Sequence, residues 1–141
     1  MPKIIVTLML SLTSAWGMAE QLEISVSNIE HAKGTILVAI IDKPDDWLEK
    51  KPKYPPFKEA AYVVSSTDNV SIIIDDIPEG NYAVSIFQDL NENKKLDTNF
   101  IGYPKEPFGF SKPMGKFGPP KFEDAVVTVD SDVTRVEIKL Q

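Results

Sequence analysis

From residue 21 onward, short apolar runs alternate with polar residues. This period-two pattern belongs to strands that bury one face and wet the other. In QLEISVSNI (21–29), Leu22, Ile24 and Val26 fall on one side. GTILVAII (34–41) is apolar almost throughout, as expected for a central strand. AAYVVSS (60–66) and VSIII (70–74) are rich in β-branched residues and separated by TDN, which reads as a hairpin-like break. NYAVSIFQD (81–89) alternates again, with Tyr82, Val84 and Ile86 on one face. DAVVTV (124–129) and TRVEIKL (134–140) close the chain. In the last run Val136, Ile138 and Leu140 point inward and Arg135, Glu137 and Lys139 outward. The one helical candidate is a short turn at PDDWLEK, 44–50.

These runs predict an all-β chain: seven antiparallel strands in a two-sheet sandwich of the transthyretin-like or immunoglobulin-like kind. The turn DDIPEGNY (75–82) agrees. Pro78 fixes φ, and Gly80 is expected to supply the positive φ of a tight entry into the next strand. Similar Pro-x-Gly-x-Tyr turns lead into a core strand in transthyretin-like sandwiches.

Two connections are long. Residues 42–59 carry Pro44, Pro52, Pro55 and Pro56. Residues 90–122 form a Pro/Gly/aromatic loop with Phe100, Tyr103, Phe108, Phe110 and Phe117 along it and Phe122 at its end. Loops longer than about 12–15 residues are uncommon, and many are functional. Disordered segments avoid aromatic residues, so this one is expected to fold back on the sandwich and pack its rings there. Tyr103, Phe108, Phe110 and Phe117 are also its candidate surface for a protein or glycan partner.

Composition narrows the function. The chain has 141 residues, one domain's worth, with a formal charge of −6. An acidic chain is a poor match for nucleic acid or an anionic membrane. Residues 1–19 read as a signal peptide: Lys3, the apolar run Ile4 to Leu12, then GMA. That run is too short to span a bilayer. Cleavage is expected after Ala19, leaving a single β-sandwich domain, 20–141, in the periplasm or secreted, with no membrane insertion. Removing Lys3 leaves 14 basic against 21 acidic residues, a charge of −7. The absence of cysteine excludes disulfides, thiol catalysis and a lipidated cysteine. His31 is the only histidine and sits in a turn, so triads and histidine metal sites lack material. Ser111 has no nearby base in sequence and is expected to bond backbone in a tight turn. The acid pairs Asp45–Asp46 and Asp75–Asp76 flank turn prolines and read as solvated caps.

The segment QDLNENKKLDTNF (88–100) places Asp89, Asn91, Asn93 and Asp97 at intervals of two, two and four. Calcium takes about six to eight hard oxygen ligands, and alternating Asp and Asn in a tight loop can aim several inward. Asp89, Asn91 and Asn93 match the first three ligand positions, the Lys95 carbonyl a fourth and Asp97 a fifth. Lys94 stands where such loops carry glycine, and Phe100 where they carry a bidentate acid. Glu106 could reach in from the proline-rich loop, though no spacing rule predicts it. The alternative is a polar turn whose side chains cap backbone amides.

The stretch EGNYAVSIFQDLNENKKLDTNFIGYPKEPFGFSKP, continuing through GPPKFEDAVVTV, resembles the bacterial domain-of-unknown-function family 2141. The resemblance rests on the ladder, then Gly102, Pro104 and Glu106, then Gly109, Phe110 and Ser111, then Pro120, Phe122 and Ala125. The family ladder usually has glycine where Lys94 stands. The resemblance implies an exported β-sandwich and no activity.

The sequence therefore leads to an exported, non-enzymatic module whose long loop meets a protein or glycan partner, with calcium as its one cofactor candidate. A structural or carrier role in the cell envelope without an ion, and a carboxylate-based hydrolase, are the other expectations.

Overall fold

The computed structural model describes residues 20–141. The signal peptide and its cleavage site after Ala19 lie outside those residues.

The chain forms two packed sheets. The first runs β4 (Val70–Ile77), β1 (Glu20–Ser27), β8 (Val133–Lys139). The second runs β3 (Lys58–Val63), β2 (Thr35–Ile41), β5 (Gly80–Asp89), β6 (Phe108–Phe110). β7 (Val126–Val129) pairs with the start of β5, Gly80 to Ala83, and β6 with its later part, Ser85 to Phe87. Every strand that alternation predicts is present, and the predicted inward residues are the ones buried. Leu22, Ile24 and Val26 from β1 meet Ile36, Val38 and Ile40 from β2, with Val84 and Ile86 from β5 and Val136 and Ile138 from β8. Burying a side chain of this size contributes about 1.5–3 kcal/mol, so the period-two pattern fixes which face turns inward.

The structure corrects four expectations. The described residues form eight strands rather than seven, because β6 forms inside the long loop. The sandwich is not wholly antiparallel: β1 and β8 pair in parallel, from Gln21 with Val133 to Ser27 with Lys139. TDN does not close a hairpin, since β3 lies in the second sheet and β4 in the first. The segment crosses the sandwich because β3 and β4 each find a different partner, β2 and β1. Gly80 does not adopt positive φ; Asp76 does, at 55°. The role of Gly80 is clearance instead, because a Cβ there would lie 3.2 Å from the hydroxyl of Tyr82, which donates to the Pro78 carbonyl at 2.9 Å.

The outer face of the second sheet is covered by the two long connections. A 3-10 turn at Pro44–Asp46 and a four-residue helix, α1 (Phe122–Ala125), bring Trp47 and Phe122 over Ile41 and Ala83. Trp47 meets Phe110 and Phe122 edge-on at centroid distances of 5.9 and 6.3 Å. Its Nε1 donates to the Pro120 carbonyl at 2.9 Å, so one side chain ties both connections together.

Candidate functional site

The site begins where β5 ends. Thr35 pairs with Asp89 across β2 and β5, and the preceding turn approaches closely. Gly34 has φ +75°, and a Cβ there would stand 2.3 Å from the Asp89 carbonyl oxygen, so only glycine fits. Gln88, fully buried, donates from Nε2 to the His31 and Lys33 carbonyls at 2.7 and 2.8 Å. The β1–β2 turn is thus fastened to the foot of the ladder. His31 contributes only its carbonyl to this, and its side chain is exposed.

Above that foot the ladder closes on itself. Asp89 is buried; its Oδ2 accepts the Lys94 N–H at 2.8 Å, and its Oδ1 is buried without a partner. The Asn91 Oδ1 accepts the Asn93 N–H at 3.3 Å, and the Asn93 Oδ1 accepts the Lys95 N–H at 3.0 Å. These two-residue steps are Asx turns, the local geometry Asp and Asn favour. They bend the chain tightly enough that Glu92 and Lys94 take φ of 56° and 61°. Lys94 therefore adopts the left-handed conformation that glycine would supply, held there by the Asp89 carboxylate on its N–H.

Asp97 closes the ring. It receives the Asn91 Nδ2 at 2.6 Å and the Asn93 Nδ2 at 3.0 and 3.2 Å. Those amide donors, Asn93 first and then Asn91, hold its carboxyl below the usual aspartate value, and Lys105 adds a smaller pull in the same direction. Glu106, buried, accepts the Leu90 N–H at 2.8 Å with one oxygen and the Asp97 N–H at 3.0 Å with the other. It clamps both ends of the ladder. Among the described residues, no group of three or more His, Cys, Asp or Glu side chains is gathered as in a carboxylate-rich metal centre. The ladder is a mixed set of carboxylate and amide oxygens.

Sequence spacing marked Asp89, Asn91, Asn93 and Asp97; Asn91 and Asn93 bond Asp97, while Asp89 holds the Lys94 N–H at the foot of the same loop. It missed Gln88 and the clamping role of Glu106, because both act through backbone far away in sequence. The aromatic residues divide. Phe108 is buried; Phe110 and Phe122 are half-buried against Trp47. Tyr103 is exposed and touches Phe108 edge-on at 6.1 Å. Phe100 and Phe117 are fully exposed, against the expectation that the loop's rings pack down. Each sits in a tight turn with no sheet beneath it: Asn99 Oδ1 accepts the Ile101 and Tyr103 N–H groups, and Gly115 bridges Gly118.

Ser111 is buried between strands. Its Oγ donates to the Ala125 carbonyl at 2.6 Å and accepts the Val84 N–H at 3.0 Å. Asp46 is buried rather than solvated and accepts the Lys53 N–H at 2.7 Å, while exposed Asp75 accepts the Gln21 Nε2 at 2.7 Å.

Fold and loop together define the class: a two-sheet β-sandwich with an Asp/Asn loop clamped at the end of a central strand. The model for the domain-of-unknown-function family 2141, uncharacterised proteins conserved in bacteria, matches residues 24–137, and the chain belongs to that family. No curated protein and no solved structure matches the chain.

Proposed function

We propose that the protein is an exported, non-enzymatic β-sandwich module whose ladder loop takes up calcium and, so fixed, offers its surface to a protein or glycan partner. The observation that carries this reading is the Asp89 carboxylate oxygen, buried with no partner inside a loop of further oxygen donors. A buried polar atom without a partner is costly, and a hard cation is a ligand that would satisfy it. Asp97 would supply the second charge and the Lys95 carbonyl a neutral donor. The Asn91 and Asn93 amides face Asp97 with nitrogen, and half a turn toward the ion would give up the two Asx-turn bonds their oxygens accept, a cost the ion has to offset.

Two carboxylates and neutral oxygens set a modest affinity, about 10⁻⁴–10⁻³ M, the range of extracellular calcium modules. Calorimetric titration of the mature chain with calcium should give one site in that range. Asp97→Asn should abolish it. Absence of calcium binding by the wild type up to about 10 mM, ten times the weak end of that range, defeats the reading.

A second reading is favoured by the two amides themselves. Their donors already satisfy the Asp97 carboxylate by hydrogen bonding, without an ion. In that case the ladder is a structural cross-link in an envelope or carrier protein, and the titration is flat.

A further inference from the structure

A separate feature lies on the outer face of the second sheet, between the two long connections. It is a cleft of about 680 Å³, within the roughly 300–1,000 Å³ usual for small-ligand sites. Phe87 of β5 and Phe108 and Phe110 of β6 line it. The registers pair Phe87 with Phe108 and Ser85 with Phe110, so these residues lie side by side on the sheet. Leu48 and Lys50 line it from one connection, Lys95 and Leu96 from the other. Phe rings have no hydrogen-bonding groups, so the lining suits an apolar body rather than a polar one.

Two further observations concern the rim. Leu48 is 42% exposed and has φ of 58°. A bulky residue keeps a left-handed backbone only where its surroundings hold it there, and such strain gathers at ligand sites. Charge is also biased. Lys50 and Lys95 face a single lining acid, Glu49, and among the described residues neither lysine is in an ion pair. Residues 90–122 carry six lysines against three acids, a local surplus on a chain of formal charge −6.

We propose that this cleft binds a medium-chain acyl carboxylate. Its chain lies along Phe87, Phe108 and Phe110, and its carboxylate meets Lys50 and Lys95. The lysines give the head group its sign, and the apolar lining gives the tail its place. Ion uptake by the ladder is not required.

The test is calorimetric titration of residues 20–141, the whole described fold, with dodecanoate, dodecanol and dodecyltrimethylammonium, below micelle-forming concentrations. Dodecanoate should bind at one site and at least tenfold more tightly than the other two. Lys50→Glu combined with Lys95→Glu, both exposed and remote from the core, should weaken dodecanoate at least tenfold and spare the fold, as read from Trp47 emission. Ser85→Phe should obstruct the cleft and abolish binding of all three. Titrations in chelator of the wild type and of Asp97→Asn separate this result from the ladder, and carboxylate-selective binding by either protein supports the proposal. Absence of dodecanoate binding by both overturns it. So does equal affinity for the three amphiphiles, or indifference to the paired lysine change.

Discussion

Replacing Asp89 with asparagine separates the two states of the ladder loop. The substitution keeps the shape of the side chain and one oxygen for the Lys94 N–H, the bond now 2.8 Å long. It removes the charge from a buried position where Oδ1 has no partner. An unsatisfied buried group costs about 1–3 kcal/mol, and more when charged. In chelator, therefore, Asp89→Asn should be within about 1 kcal/mol of the wild type or more stable than it. Calcium should reverse this. A ligand selective for the native state adds RT ln(1 + [L]/Kd), which at 5 mM calcium and a Kd of 10⁻³–10⁻⁴ M is about 1–2.3 kcal/mol. For a domain of this size, at roughly 3–5 °C per kcal/mol, Tm should rise by about 3–11 °C. The variant should show no rise, and magnesium should raise the wild type less, because it gives up its water reluctantly. Scanning calorimetry of both proteins, in chelator and in calcium, supplies the four values. Equal rises in the two proteins would refute the assignment to Asp89, and a flat wild type would refute ion uptake.

Three other expectations follow from named contacts. Glu106→Gln leaves one acceptor oxygen for two backbone donors, Leu90 and Asp97, so urea unfolding should show a loss of about 1–3 kcal/mol with m unchanged. Asp97, whose carboxyl is held below its ordinary value of 3.8 by Asn93 and Asn91, contributes stability that is present above pH 3.8 and lost as pH falls through its lower folded value. Protection of the amides across 91–97, taken relative to their intrinsic exchange rates, should accordingly hold at pH 4 and fall below that window; loss of protection between pH 6 and 5 would contradict the assignment. Glu20 is held above its usual value by burial first and then by Glu79, Asp132 and Asp130. In a chain cut after Ala19, the free α-ammonium would stand on Glu20 itself and offset that acidic surrounding, so acetylating it should lower Tm at pH 7, and an unchanged Tm would contradict this.

Much of the candidate site could be read in the sequence, since the Asx turns are local and the Asp/Asn spacing creates them directly. Lys94 shows the limit of that reading. A non-glycine residue argues against a left-handed turn, yet the Asp89 carboxylate on its N–H holds it at φ 61°. Tertiary placement of Asp89 thus outweighs the local preference of Lys94. Gln88 and Glu106 could not be read as anchors at all, because their partners lie 55–57 and 9–16 residues away.

Alternation settled the positions and buried faces of β1, β5 and β8, because a one-residue slip there would turn Leu22, Val84 or Ile138 into water. The pairing of those strands was decided elsewhere. Nothing periodic in TRVEIKL says that it runs parallel to β1, or that β3 and β4 part into different sheets. Nor does the run of rings in 100–122 say which ones are buried. Phe108 lies on a strand beside Phe87 and is covered, whereas Phe117 sits on a turn with no sheet beneath it. Side-chain alternation is a property of one strand, while pairing and cover depend on which segments the folded chain brings alongside.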